Sequence, residues 1–149
     1  MVVLELGLGE AAKSFQLEKA VCSHGFFMMP PNQWDPLSKS LLRPLRLDTT
    51  DSDSDSVLVR ISQHSWAPQS LHVSVYGIHY PYSLTPQHRH SLLTQVSRML
   101  RLSDTEERAV REYRNMCKVD EDRSFDGRVF RSPTLFEDMV KCILLCNCQ

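Results

Sequence analysis

Two stretches in the middle of the chain alternate apolar and polar residues, and this alternation restricts the fold more than any other feature of the sequence. In residues 57–62 and again in residues 71–76, every second side chain is aliphatic. The aliphatic positions are Val57, Val59, Ile61, Leu71, Val73 and Val75. A period of two places these side chains on one face of a strand. The sequence therefore predicts two antiparallel strands, each with one buried face, joined by a loop at 64–69.

Further strands are predicted before this pair. Residues 1–12 are apolar without a clear period and are interpreted as a strand or a loosely held arm. The apolar run Phe26–Met29 stops at two prolines, which predicts a short buried strand. Trp34-Asp35-Pro36 predicts a turn. Ser38–Leu47 predicts a strand in which Pro44 fits only at a sheet edge or a bulge.

Three helices are predicted from cap residues and apolar stripes. The first follows Ser14 and ends near Gly25, the second begins at Thr85-Pro86, and the third has a capping box formed by Ser103 and Glu106. Their buried stripes are predicted at Phe15, Ala20, Val21 and Cys22, at Leu92, Leu93, Val96, Met99 and Leu100, and at Ala109, Val110, Tyr113, Met116 and Cys117. Because the strands cluster before the later helices, the sequence predicts an α+β fold.

The last predicted helix has an unusual distribution of apolar residues. Ser132-Pro133-Thr134 is a helix start, and Glu137 lies at the capping-box spacing from Thr134. An apolar stripe then follows on one helix face, with Asp138 and Lys141 opposite. The stripe consists of Leu135, Phe136, Met139, Val140, Ile143 and Leu144. From position 142 onward the polar face disappears, so the pattern predicts a core helix that other structure covers on all sides. The layer that should cover it is expected to be absent from this chain, which predicts an exposed apolar side at Leu135–Cys148 and a chain that is poorly soluble or self-associating.

The composition is that of an ordinary globular protein: 149 residues, 42% of them hydrophobic and 23% charged, with a net charge of −1. The chain carries no signal-peptide pattern and no run of about 20 apolar residues, which predicts an intracellular protein without a membrane segment. Five cysteines, an odd number, favour reduced thiols over disulfides. The acidic stretch Asp48–Ser56 and the charged stretch Lys118–Asp126 are predicted to be solvated loops.

The sequence contains no motif for a catalytic nucleophile or a phosphate-binding glycine loop. Cys142, Cys146 and Cys148 cluster in the last helix, where core packing is favoured over a metal site because no C-x-x-C pair is present. Five arginines of the middle helices are interpreted as a salt-bridged surface, with phosphate contacts as the alternative. They are Arg98, Arg101, Arg108, Arg111 and Arg114.

Asn147 and Gln149 are polar amides at the end of an otherwise apolar helix. A buried amide without a partner is costly, so each needs a hydrogen-bond partner or solvent. Two interpretations are open: a helix end that frays into solvent, or a pair of residues that contacts a ligand.

Residues 128–149 resemble the first helix of the core of helix-hairpin-helix (HhH-GPD) DNA glycosylases, the superfamily that includes 8-oxoguanine DNA glycosylase and 3-methyladenine DNA glycosylase II. The resemblance consists of a basic-apolar strand at 128–131, a proline-containing cap, Phe136-Glu137 and an apolar run into Asn147 and Gln149. Phe15–Val21, Trp34–Leu37 and Arg43–Leu47 resemble the N-terminal domain of plant members of the superfamily.

The resemblance implies an N-terminal domain at residues 1–126, an antiparallel sheet with packed helices similar to half of the TATA-binding-protein fold. It implies that residues 127–149 begin a helical core that is incomplete in this chain. The implied function is base-excision repair in the nucleus, in which a damaged base is removed from double-stranded DNA without a cofactor or a metal.

The resemblance assigns no catalytic residue to this chain, because the family's hairpin and catalytic aspartate lie beyond position 149. The chain alone is therefore expected to be inactive. Asn147 matches the asparagine that fills the space left by the flipped base and contacts the opposite base, whereas Cys148 and Gln149 depart from the family's tandem asparagines. Asn147 and Gln149 are the candidate DNA-binding residues. The alternative is a stand-alone, non-catalytic domain that binds DNA or protein.

Overall fold

The computed structural model describes residues 1–47, 55–77, 84–117 and 127–147. These residues form a five-stranded antiparallel sheet and four α-helices, which confirms the predicted α+β class. The strands are β1 (Val2–Gly7), β2 (Gln33–Asp35), β3 (Ser40–Arg46), β4 (Ser56–Ser62) and β5 (Ser70–Tyr76). The helices are α1 (Leu17–Val21), α2 (Pro86–Leu100), α3 (Asp104–Cys117) and α4 (Leu135–Asn147).

The strand order is β1-β5-β4-β3-β2, and each neighbouring pair is antiparallel. Leu41 lies opposite Ile61, and Ile61 lies opposite Val73. Val73 in turn lies opposite Leu4 on β1. All four side chains are buried, so the predicted alternation is confirmed and one face of the sheet forms the core.

Pro44 occupies the edge position that its missing N–H requires. The short strand β2 pairs only with Ser40–Leu42 of β3. Among the described strands, β3 therefore has a neighbour on one side only at Pro44, and that neighbour is β4. The prediction of an edge position is confirmed.

The predicted first helix begins later than expected. Ser14 ends a short 3-10 helix at Gly9–Lys13, and α1 starts only at Leu17. The N–H of Leu17 donates to Oε1 of Gln63 at 2.9 Å, so the start of α1 is capped by a side chain from the β4–β5 loop. A cap so distant in sequence cannot be recognised from local residues. Gly25 also does not end this helix, because it begins the next 3-10 turn.

Two local predictions before β3 are wrong. The apolar run at 26–29 is not a strand, because Gly25–Met28 forms a 3-10 helix in which Met28 is exposed. The side-chain amide of Asn32 donates to the carbonyl of Phe26 and helps to hold this turn. Trp34 is not in a turn, because it belongs to β2 and pairs with Leu41 of β3. The turn follows β2, where the carboxylate of Asp35 accepts from the N–H of residue 37.

The predicted starts of α2 and α3 are confirmed. Thr85 accepts a hydrogen bond from the N–H of His88 at 3.1 Å, and Ser103 accepts from the N–H of Glu106 at 3.3 Å. Four of the five residues in the α2 stripe are buried, and Leu93 is half-buried. The α3 stripe was over-predicted, because only Val110 of that helix is buried. The α3 helix packs lightly on the core, against the turn at Gly9–Lys13.

The segment that enters α4 is an irregular chain, and the strand expected at 128–131 is absent from it. Arg128 is fully buried and donates from Nη1 to the carbonyl of Arg101 at 2.8 Å and to Glu107 at 2.6 Å. Phe130 is also buried, and its N–H donates to the hydroxyl of Ser23. Gly127 has a φ of +93°, and a Cβ at this position would lie 2.5 Å from the ring of Tyr113.

Two predicted loops lie mainly or wholly outside the described residues. The acidic loop Asp48–Ser56 is described only from residue 55, and Ser56 already belongs to β4. The charged stretch Lys118–Asp126 is outside the described ranges. None of the described helices is both long and apolar enough to cross a bilayer.

Candidate functional site

The start of α4 has the cap that the sequence predicts. The N–H of Glu137 donates to Oγ1 of Thr134 at 3.2 Å. The carboxylate of Asp138 accepts from the N–H of Ser132 at 2.7 Å and satisfies a second backbone donor of the helix entry. The side chain of Glu137 does not complete the capping box, because it is engaged with other elements of the domain.

The exposure of α4 agrees with the prediction for its apolar stripe but not for Lys141. The stripe was expected to be exposed because its covering layer is absent, and all of its residues are exposed, Phe136 to 76% and Ile143 to 58%. We call this surface the α4 apolar face. Its residues are Leu135, Phe136, Met139, Val140, Ile143, Leu144 and Leu145. Lys141, expected on the outer side, is only 4% exposed. The helix therefore presents its polar side to the domain and its apolar side outward.

Ion pairs fix this orientation. Arg43 projects from β3, is 2% exposed, and donates from Nη2 to Oε2 of Glu137 at 2.9 Å. The other oxygen of Glu137 lies 2.7 Å from Nζ of Lys141, one turn further along α4. Arg43 Nη1 also donates to Asn32 at 2.9 Å. Removing the Glu137 carboxylate would leave two buried cations, Arg43 and Lys141, without their partner.

A second ion pair ties α4 to α2. Nη2 of Arg98 lies 2.7 Å from Oδ2 of Asp138, and both side chains are partly buried. The carboxylate of Asp138 thus binds α2 and the helix entry at the same time. We call Arg43, Glu137, Lys141, Arg98 and Asp138 the α4 anchor.

Burial and pairing act in opposite directions on the titration of Glu137 and Arg43. Burial raises the pKa of Glu137, but hydrogen bonds from Lys141 and Arg43 outweigh it and hold that pKa below its ordinary value. Burial lowers the pKa of the Arg43 guanidinium, and the hydrogen bond and charge of Glu137 oppose this effect. At neutral pH Glu137 is therefore a carboxylate that pairs with the Arg43 guanidinium.

A cleft of about 550 Å³ lies beside the first turns of α4, between that helix, β3 and α2. Its walls include Pro44 of β3, Gln95 of α2, and Phe136 and Val140 of the α4 apolar face. Gln95 is buried and donates from Nε2 to the carbonyl of Arg46 at 2.8 Å. A molecule that covers α4 can therefore place a side chain in this cleft.

Of the two candidate DNA-binding residues, the structure describes one. Asn147 is exposed at the C-terminal end of α4, and its Nδ2 donates to the carbonyl of Ile143 at 2.7 Å. Gln149 lies outside the described residues. The structure therefore shows Asn147 at a solvent-accessible helix end and does not bring it near the α4 anchor.

The prediction of core packing for the cysteine cluster is wrong for the two cysteines that the structure describes. Cys142 and Cys146 are exposed free thiols, and Cys148 lies outside the described residues. They are exposed because they share the outward side of α4. Within the described ranges, no group of three or more His, Cys, Asp and Glu side chains is placed to hold a metal ion.

Carboxylates hold arginines of the middle helices. Arg98 pairs with Asp138, and Arg101 pairs with Glu106. Glu106 also accepts from Arg131 at 3.1 Å. These contacts support the interpretation of this side as a salt-bridged surface.

Sequence analysis missed the anchor, although one signal was present. Arg43 lies in phase with Leu41 and Leu45, the two buried leucines of β3, so its side chain had to point into the core. A buried guanidinium requires a carboxylate partner. Glu137 and Asp138, which are adjacent in the last predicted helix, are carboxylates that could meet it.

Comparisons with protein-family models, curated proteins and solved structures gave no match. The glycosylase resemblance therefore rests on the residue patterns quoted from the sequence.

Proposed function

We propose that this chain forms the N-terminal α+β part of a base-excision-repair DNA glycosylase of the helix-hairpin-helix superfamily. In this proposal α4 is the first helix of the enzyme's helical core, and the whole protein removes a damaged base from double-stranded DNA in the nucleus. The sheet corresponds to the half of the TATA-binding-protein fold that precedes the core in that superfamily.

The α4 apolar face is the observation that carries the proposal. Its seven large side chains are 37% to 76% exposed. Apolar side chains exposed together along one helix form a contiguous patch, and such a patch marks a surface that another element or molecule covers. A helix with this surface needs a covering layer, and the helices of a glycosylase core would supply one.

The α4 anchor supports the same assignment. Because its ion pairs engage the polar side of α4, the helix can stay attached to the sheet while its opposite side packs against other helices. A helix that joins two layers needs a contact on each side. In the proposed enzyme, the polar contact faces the α+β part and the apolar contact faces the core.

Asn147 is the residue of this chain that would meet DNA. Its amide can donate and accept hydrogen bonds, so it can contact the edge of the base opposite the lesion. Its exposed position at the end of α4 leaves room for such a contact. Gln149 is proposed to contact DNA in the same region.

The test compares residues 1–149 with an extended protein in which a helical core carrying the hairpin and catalytic aspartate follows. Duplexes with alkylated, oxidised or deaminated bases are the substrates, and base release is measured. We expect release by the extended protein and none by residues 1–149. Turnover by residues 1–149 alone would overturn the proposal, as would a folded extended protein without activity on any of the duplexes.

Asn147→Ala in the extended protein separates a DNA contact from a structural role. We expect it to cost about 1–3 kcal/mol in discrimination of the opposite base, with little loss of folding stability because the side chain is exposed. If the substitution unfolds the protein and leaves discrimination unchanged, Asn147 is structural.

The alternative is a stand-alone domain that binds a protein partner without catalysis. The cleft beside Phe136 favours it, because an apolar helix face next to a cavity is a surface that a partner helix can use. A stable complex through the α4 apolar face, together with inactivity of every extended form, would establish this alternative.

A further inference from the structure

The two edges of the sheet differ in how they are protected against pairing with another strand. At one edge β2 has only three residues, and beyond it β3 carries Pro44. The buried Gln95 also donates to the carbonyl of Arg46 on this edge. A short strand, a proline and a covering side chain all oppose the addition of a further strand.

The other edge, β1, lacks these features. Val2–Gly7 pairs with β5 in six consecutive register positions without a bulge, and it contains no proline and no lysine. Within the described residues, the backbone of β1 pairs with no strand other than β5. The exposed Val3 and the half-buried Val2 and Leu6 add apolar surface at this edge. Such an edge is open to a further antiparallel strand.

The sequence of β1 is complementary to itself. In an antiparallel pair, residues directly opposite each other share a face of the sheet. A two-fold pairing centred on Leu4 places Val2 opposite Leu6 on the core face and Val3 opposite Glu5 on the open face. Pairings centred on Leu4 and on residue 5 each keep five residues of β1 opposite one another, more than a pairing centred on any other residue. The pairing centred on residue 5 would place two Glu5 carboxylates directly opposite each other, which is unfavourable, so the pairing centred on Leu4 is favoured.

We propose that β1 is a docking edge for a second copy of this chain, and that two copies pair their β1 strands antiparallel about Leu4. The two sheets then form one continuous ten-stranded sheet, since each copy contributes five strands. The half-buried Val2 and Leu6 complete their burial against the partner strand. This interface lies on the sheet edge and goes beyond the proposed DNA glycosylase function, which rests on α4.

The test is the dimer dissociation constant of the full chain, measured by sedimentation equilibrium at low ionic strength. Val3→Glu places a second carboxylate opposite Glu5 of the other copy, and Val3→Lys places an ammonium there instead. Because two symmetry-related pairs change at once, we expect Val3→Glu to weaken the dimer about fivefold and Val3→Lys to tighten it about fivefold. Residue 3 is half exposed, so neither change disturbs the core.

The double variant Val3→Glu/Glu5→Lys tests the register directly. It places the new carboxylate at position 3 opposite the new ammonium at position 5 of the other copy. It is therefore expected to tighten the dimer about fivefold relative to the wild type, as Val3→Lys does, although Val3→Glu alone weakens it. The charge effects of both single variants should diminish in high salt. A monomeric wild-type chain overturns the proposal. The proposal also fails if Val3→Glu and Val3→Lys shift the dissociation constant in the same direction, or if neither variant shifts it.

Ile143→Lys is the matched control on the α4 apolar face. If the dimer uses β1, this variant keeps the wild-type dissociation constant. If Ile143→Lys abolishes association while the residue-3 variants have no effect, the copies meet through α4 and the β1 proposal fails. The glycosylase proposal is unaffected by either result, because its test is base release.

Discussion

The central strands and α4 carry equally regular apolar patterns but orient them in opposite directions. On β4 and β5 the alternating aliphatic residues of the core face, such as Ile61 and Val73, are buried. On α4 the stripe predicted for the core is exposed, with Ile143 at 58%. The strands therefore attach to the domain through apolar burial, whereas α4 attaches through charged side chains.

The difference shows that periodicity identifies a face but not its partner. The strands find their apolar partners within the described chain, as Ile61 does opposite Leu41. The buried side of α4 is instead organised by Arg43, a cation in phase with the leucines of β3. Ion pairs contribute less net stability than apolar burial, because desolvation offsets much of their attraction. We therefore expect α4 to be the less firmly held of the two regions.

Matched isoleucine truncations should show the largest difference between the regions. Ile61→Ala removes atoms from the closed centre of the sheet and should lower the free energy of unfolding by about 2–5 kcal/mol. Ile143→Ala should change it by less than about 0.5 kcal/mol, because the side chain is exposed. Urea unfolding monitored by circular dichroism measures both. Equal losses would mean that α4 is covered in solution.

The extended protein sharpens this comparison. If a helical core covers α4, Met139→Ala and Ile143→Ala should each cost about 2–5 kcal/mol there. Their small effect in residues 1–149 would then measure the absence of that layer.

The parts of the fold that could be predicted from sequence are those set by local patterns. The alternation in β4 and β5, the cap at Thr85 and the edge position of Pro44 each depend on neighbouring residues alone. The start of α1 could not be predicted, because its cap comes from Gln63. The apolar run at 26–29 has the composition of a strand, but among the described residues it pairs with no strand and lies mostly in a 3-10 helix.

For the candidate site, sequence patterns predicted the residues of α4 but not its orientation. Asp138 and Lys141 were correctly placed opposite the stripe, and the cap at Thr134 was correct. The side that faces the domain depends on contacts across 94 and 40 positions of sequence, from Glu137 to Arg43 and from Asp138 to Arg98. No local pattern carries that information.

Arg43→Met tests the ion-pair attachment of α4. The substitution keeps much of the volume of the side chain but removes one of the two cations that pair with Glu137, and it should cost about 2–3 kcal/mol. Hydrogen exchange should show the loss of protection concentrated in α4. The double variant Arg43→Met/Glu137→Gln should lose more stability than Arg43→Met alone, because it leaves the buried Lys141 ammonium without its carboxylate. Uniform loss across the sheet would show that Arg43 supports the core and not α4 specifically.

Acidification should release α4 before the sheet. The pKa of Glu137 in the folded protein lies below its ordinary value of 4.5, so its ionised form stabilises the fold. This contribution is complete above pH 4.5 and is lost as the pH falls through the lower folded value. The protection factors of α4 amides, which are exchange rates referred to the intrinsic rate at the same pH, should therefore fall from about pH 5 to about pH 3, and Glu137→Gln should flatten that dependence.

Asp35 provides the control for this pH dependence. Its pKa is also held below the ordinary value, by hydrogen bonds from the Ser38 hydroxyl and the N–H of Leu37, but it lies at the turn after β2. Asp35→Asn should leave the acid response of α4 unchanged. If Asp35→Asn flattens the response and Glu137→Gln does not, the anchor is not the acid-sensitive element.

Thr134→Ala should have a small effect and should confine it to α4. The hydroxyl of Thr134 accepts from the N–H of Glu137, and loss of such a cap costs about 1 kcal/mol. Asp138 still satisfies the N–H of Ser132, so the helix entry keeps one of its two side-chain acceptors. Thr134→Ser retains the hydroxyl and should behave as the wild type. Hydrogen exchange should report the loss in α4 while amides of β4 keep their protection, because the strands depend on apolar burial and not on this cap. Equal loss of protection in β4 would show that the two regions unfold as one unit.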